Sequence, residues 1–151
     1  GRAKMISKDS KNILIDYAHN LGGMKAIVSS VANIYNDLVI VYGCGGGRDN
    51  SERDKMMNFA CSNSRIVIFT SDNSRDESFQ SILDDSKKDQ EYSNLFVEAD
   101  REQAIKKGIA TLKENEILLI LGKGHEEFQE INGTMKPFND QRVVEKILWD
   151  I

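Results

Sequence analysis

The stretch Leu38-Val39-Ile40-Val41-Tyr42-Gly43-Cys44-Gly45-Gly46-Gly47-Arg48-Asp49 decides the fold. Its apolar part carries no polar alternation and stops at glycine, as expected of a strand buried on both faces of a parallel sheet. Similar short apolar runs recur at Asn12–Ile15, Arg65–Phe69, Leu95–Val97 and Ile117–Leu121. Between them Met24, Ile27, Val28, Val31 and Ile34 fall at helical spacing, and Asn50–Cys61, Glu77–Lys87, Arg101–Lys113 and Gln141–Trp149 also read as helices. Strands alternating with helices predict an α/β fold: a doubly wound, mostly parallel, Rossmann-like sheet with helices on both faces.

Phe128–Ile131 and Thr134–Phe138 flank Asn132-Gly133, a pair that tolerates positive φ at both positions, so a small C-terminal hairpin is expected there. Asn139 or Asp140 then caps the final helix. The charge-dense stretch Asp84–Glu91 reads as a solvated helix end and loop.

A chain of 151 residues, 40% of them hydrophobic, is enough for one core, so residues 1–151 are read as a single domain. Twenty Lys and Arg against 24 Asp and Glu leave a net charge of −4, which argues against a nucleic-acid partner. No apolar run approaches the roughly 20 residues of a membrane-spanning helix, so no membrane partner is expected. Cys44 and Cys61 make no disulfide framework, which suggests a reducing, cytoplasmic setting. The start Gly1-Arg2-Ala3-Lys4 has neither an initiator Met nor an apolar leader, the expectation for a domain of a longer chain.

In open parallel sheets ligands bind beyond the carboxyl ends of the strands. The loops expected there are Asp16-Tyr17-Ala18-His19-Asn20, Gly43–Asp49, Ser71-Asp72-Asn73-Ser74-Arg75-Asp76 and Gly122-Lys123-Gly124-His125-Glu126-Glu127. None is a Walker loop, because the Gly122-Lys123 pair is followed by Gly124 rather than Ser or Thr. The glycines either present amides to an anion or serve tight packing. Arg48 and Arg75 offer guanidinium forks for a carboxylate or phosphate, with Glu126 or Asp72 for an ammonium; the alternative is internal pairing of Arg48 with Asp49 or Glu52, and of Arg75 with Asp72 or Asp76. Asp16 either grips ribose hydroxyls or a cation, or holds its own turn. His19 and His125 lack the neighbours of a metal site or a Cys–His pair and read as loop-organising hydrogen bonders.

Taken together and in order, these loops resemble the C-terminal domain of the Mur ligases over essentially the whole chain. Asp72–Arg75 combined with Gly122–Glu126 resembles the branch that adds the third residue of the peptidoglycan stem peptide. The resemblance implies ATP-dependent amide-bond formation on UDP-N-acetylmuramoyl-L-Ala-D-Glu: the acceptor carboxylate is phosphorylated and the incoming amine attacks the acyl phosphate. It implies that Arg2, Asp16, His19 and Asn20 close over ATP, and that Arg48, Asp72, Asn73, Arg75, Gly122 and Glu126 bind the amino acid. It also implies that Arg75 favours meso-diaminopimelate, and that the Mg ligands, the phosphate loop and the UDP-sugar site lie on the N-terminal and central domains.

Leu21 and Ser74 stand where the family usually has proline, and Gly47 where an aspartate commonly precedes the arginine. A missing proline relaxes a turn without deleting a ligand. These departures leave open a divergent ligase for another amino acid, and the residues alone also allow a self-standing small-molecule-binding module without catalysis. On the ligase reading the 151-residue chain has no catalytic residue of its own. Incubated with ATP and diaminopimelate it should release no phosphate; amino-acid-dependent phosphate release would overturn that expectation.

Overall fold

The computed structural model describes residues 3–47 and 50–150. In chain order the elements are β1 (Lys4–Lys8), β2 (Lys11–Asp16), α1 (Leu21–Val31), β3 (Asp37–Tyr42), α2 (Arg53–Ser62), β4 (Ile66–Phe69), α3 (Phe79–Lys87), β5 (Leu95–Val97), α4 (Arg101–Thr111), β6 (Glu116–Leu121), β7 (Phe128–Ile131), β8 (Thr134–Pro137) and α5 (Asp140–Trp149). The main sheet runs β1-β2-β6-β3-β4-β5, parallel throughout except at β1, and β7-β8 is a separate hairpin.

That order explains the two helical layers. The connections β2-α1-β3, β3-α2-β4 and β4-α3-β5 all progress in one direction along the sheet, whereas β5-α4-β6 returns to the gap between β2 and β3. Parallel crossovers are right-handed, so reversing the direction moves the helix to the opposite face. Accordingly, Leu38, Ile40 and Tyr42 of β3 pack with α1, α2 and α3, while Val39 and Val41 pack with α4 and α5. Every residue of β6 is buried, as its central place requires.

The helices begin where local chemistry allows. Asn20, Ser78, Asp100 and Asn139 each accept a backbone N–H of their own first turn. Asn139, not Asp140, therefore caps α5. The chain from Asn50 to Glu52 precedes α2, and Glu77 and Ser78 precede α3, so both helices start later than their apolar spacing suggests. Asn132 and Gly133 both have positive φ in the hairpin turn.

One strand has no counterpart in the sequence reading. Strand β1 is an edge strand burying only Ile6, and Asp9-Ser10, both at positive φ, turn it antiparallel onto β2. A half-exposed strand between lysines carries almost no periodic signal, and Asp-Ser lacks the glycine that usually marks such a turn. Within Asp84–Glu91, Asp85 pairs with the buried Arg53 as well as with Lys88, so that stretch is not merely solvated.

The deepest polar contact joins α4 to α5. Arg101 and Asp140, both fully buried, meet through two hydrogen bonds of 2.8 and 2.9 Å. Nη1 donates to Ser71 O, and Nη2 donates to Leu121 O as well as to Asp140, each of these carbonyl contacts at 3.1 Å. Removing one partner strands a charge in the core. Asp140→Ala should lose about 3–5 kcal/mol in urea unfolding, and replacing both partners by Met and Leu should recover much of that. A loss below about 1 kcal/mol for the single variant would show the pair to be dispensable.

Candidate functional site

A cleft of about 330 Å³ opens beyond the carboxyl ends of the parallel strands. The loop after β2 contributes Tyr17, His19 and Asn20, and the loop after β3 contributes Cys44 and Gly45. Asp72, Asn73 and Arg75 come from the loop after β4, and Gly122 and Glu126 from the loop after β6. The start of α2 closes one wall with Glu52, Arg53 and Met56. Of the residues singled out in sequence, Asp72, Asn73, Arg75, Gly122, Glu126, His19 and Asn20 thus share one cavity. Asp16 does not line it; its carboxylate accepts from Ala18 N at 2.8 Å and holds the turn. Arg2, Arg48 and Asp49 lie outside the described residues.

The glycines bring the walls into contact. A Cβ at Gly43 would strike Thr70 O, and one at Gly46 would strike Ser74 O, so the loops after β3 and β4 touch backbone to backbone. Gly46 N donates to Asn73 O at 2.8 Å across this contact. Ser74 is buried there, so close packing holds the turn at the position where the resemblance led one to expect proline. Leu21 is the first residue of α1, a position that suits proline, and its retained N–H lies 3.4 Å from the Glu52 carboxylate.

Arg75 is held by the hairpin. Its φ is +54°, its N–H donates to Glu130 O at 3.0 Å, and its carbonyl accepts from Asn132 N at 2.8 Å. Nη1 donates to Gly46 O at 3.0 Å and to Asn73 O at 3.3 Å, and Nε lies 3.8 Å from the Glu130 carboxylate. The internal partner is therefore Glu130, not the expected Asp72 or Asp76, because β7 is laid along this turn. Among the described residues nothing pairs with Nη2.

Between Asn73 and Glu126 lies a lysine to which the sequence reading gave no role. Lys123 is fully buried, with Nζ 3.0 Å from Asn73 Oδ1, 3.1 Å from Glu126 Oε1, 2.8 Å from Phe128 O and 3.9 Å from Asp72. The two acids expected to receive a ligand ammonium thus already flank one from the protein. Burial raises the Asp72 carboxyl above its ordinary range, against the pull of Arg101 and Lys123. Only the glycine-flanked position of Lys123, at the end of a buried strand, hinted at it.

Burial also pushes the Cys44 thiol up to about 12, so it stays protonated near neutral pH and is no nucleophile. His19 is exposed, its Nδ1 3.2 Å from Tyr17 O and its ring 4.9 Å from that of Tyr17. Among the described residues no group of three or more His, Cys, Asp and Glu is arranged to hold a metal ion, and no helix is long and apolar enough to cross a membrane.

Arg53 fixes the outer wall. It donates to both oxygens of Glu77 at 2.9 Å and to Gly45 O at 2.8 Å. Its guanidinium holds the Glu77 carboxyl down at about 2, against an ordinary 4.5. A depressed carboxyl stabilises the fold fully above its unfolded value and loses that contribution as pH falls from about 4.5 toward about 2. Glu77→Gln should therefore lower stability at neutral pH and flatten the stability–pH curve over that interval. Urea midpoints that run parallel for both proteins would exclude the pair as a source of stability.

Residues 1–124 match the family described as Mur ligase, glutamate ligase domain. The UDP-N-acetylmuramoyl-L-alanyl-D-glutamate–2,6-diaminopimelate ligase of Aquifex aeolicus is 40% identical over 98% of this chain, and that of Clostridium perfringens is 38% identical over 98%. The chain spans 31% of the length of each. A solved structure of a ligase with the same description superposes with a TM-score of 0.93 at 34% identity, covering 99% of this chain and 31% of the other. A folylpolyglutamate synthase from Thermotoga maritima superposes at 0.60 with 25% identity over 81% of this chain and 27% of its own. The chain belongs to the Mur ligase family, to its glutamate ligase domain.

Proposed function

We propose that residues 1–151 form the C-terminal domain of an ATP-dependent amide ligase that adds the third amino acid, meso-diaminopimelate, to UDP-N-acetylmuramoyl-L-Ala-D-Glu in cytoplasmic peptidoglycan synthesis. The observation that carries this reading is the convergence of Asn73, Arg75, Gly122 and Glu126 in one cleft of a chain whose relatives bear that ligase name. Such a reaction needs an amine held against an acyl phosphate and charge stabilised there, rather than a covalent nucleophile. The cleft suits the holding task. Arg75 Nη2 and the Asn73 amide offer donors to carboxylate oxygens, and Glu126 offers an acceptor to an ammonium.

The distal carboxylate of diaminopimelate is assigned to Arg75, with Arg48 and Asp72 as further members of the amino-acid site. ATP meets this domain from one side, and Arg2, Asp16, His19 and Asn20 are assigned to it. Asp16 and Asn20 each spend a side-chain oxygen on their own backbone, so His19 is the described group most able to turn toward the nucleotide. Bound Mg would neutralise phosphate charge, and its ligands are assigned to the N-terminal and central domains that complete the enzyme.

Arg75→Ala should weaken diaminopimelate by roughly 1.5–3 kcal/mol for each charge-assisted bond lost, about 10- to 150-fold, while scarcely changing lysine. Amide-shift titrations of the chain with both ligands test this. Equal losses for the two would refute the distal-carboxylate role.

A further inference from the structure

Lys123 has exhausted its own chemistry. An ammonium has three N–H groups, and here three acceptors lie within hydrogen-bond distance: Asn73 Oδ1, Glu126 Oε1 and Phe128 O. The side chain is fully buried and is not part of the cleft lining. It has no donor left for a ligand. What it does control is the presentation of two residues that are part of that lining.

The first is Asn73. Its Oδ1 accepts from Lys123 Nζ at 3.0 Å and from Glu130 N at 2.9 Å. Both partners are donors only, so the amide has one permitted orientation: oxygen toward Lys123, NH2 away from it. Among the described residues the NH2 group has a single long contact, 3.4 Å to Glu126 Oε1, and it keeps donor capacity for the cleft. The second is Glu126. Lys123 and Asn73 both approach Oε1, and Oε2 is committed to no partner among the described residues.

We infer that Lys123 is a positioning residue that sets the polarity of the cleft, locking the Asn73 amide with its NH2 toward the ligand and reserving one Glu126 oxygen for it. The inference rests on the reading of this cleft as the amino-acid site. A zwitterionic ligand needs a donor for its carboxylate and an acceptor for its ammonium, side by side and not interchangeable. Without Lys123 only the Glu130 N–H would hold the Asn73 oxygen, and each flip of the amide would present that oxygen and repel the carboxylate. With Lys123 in place the donor and the acceptor each have an assigned position before the ligand arrives, which lowers the cost of binding.

Two variants of the isotopically labelled chain test this. Lys123→Met keeps most of the length of the side chain and removes the donors; Asn73→Asp keeps an oxygen for Lys123 and Glu130 N but replaces the outward NH2 by oxygen. For Lys123→Met the Asn73 side-chain NH2 signals should move toward those of a freely rotating asparagine, and meso-diaminopimelate affinity should fall at least tenfold. For Asn73→Asp the affinity should fall at least tenfold with the unfolding midpoint retained. Unchanged Asn73 side-chain signals in Lys123→Met, or affinity within twofold of the parent in Asn73→Asp, would overturn the inference. If Lys123→Met does not fold, the Asn73 side-chain NH2 signals of the parent chain decide: signals of a freely rotating asparagine there would overturn the inference. If the parent chain and the full-length protein both fail to bind meso-diaminopimelate, the proposed function falls, while the Asn73 side-chain signals still decide the role of Lys123.

Discussion

The carboxyl edge of the sheet depends on an arginine and an aspartate removed entirely from solvent. Burying Arg101 and Asp140 costs several kcal/mol of desolvation for each ion, which is offset only when every donor finds an acceptor. Here each of the three guanidinium nitrogens has at least one acceptor, in a particular arrangement. The guanidinium reaches Asp140 at the head of α5 and the carbonyls of Ser71 and Leu121. Those carbonyls are where the chain leaves β4 and β6 for the loops carrying Asn73, Arg75, Gly122 and Glu126. One buried ion pair therefore sets the spacing between the two loops that supply most of the cleft.

On that base the loops are fixed by contacts that leave little room for adjustment. Glycine at positions 43 and 46 lets two loop backbones touch. Arg53 ties the β3 loop to Glu77, and the hairpin extends one backbone ladder along Arg75. Left-handed backbone at a non-glycine residue persists only where its surroundings over-determine it. Arg75 meets that condition, being bonded at its N–H, its carbonyl and its guanidinium. The cleft is a preorganised arrangement of donors and acceptors, suited to orienting a ligand rather than to forming a bond with it.

Much of this was legible in the chain. The apolar runs located β2 to β6, because a strand covered by helices on both faces must be apolar throughout. The Asn132-Gly133 turn located the hairpin, and the polar loops after the strands located the cleft. Legibility ended where the signal was not local. Strand β1 buries one residue and leaves no pattern. The acids near Arg75 in sequence, Asp72 and Asp76, are its obvious candidates for internal pairing, yet Glu130 reaches it through the hairpin. Asp140 looked like a helix cap and instead neutralises an arginine 39 positions earlier. Lys123 looked like a failed phosphate-loop lysine and is a buried organiser of its neighbours.

The sequence by itself determined the element order from β2 onward, the two-layer cover of the sheet and the loops that gather at its carboxyl edge, because hydrophobic periodicity and turn chemistry act over a few residues. Only the tertiary structure decided which charge meets which, and hence which polar atoms remain for a ligand. Asp72, Lys123, Asn73 and Glu126 carry the same residue names whatever their neighbours. Burial, the shared acceptor positions and the order in which donors are satisfied exist only once distant segments are packed together, and these decide that the cleft offers an NH2 group at Asn73 and a single open oxygen at Glu126.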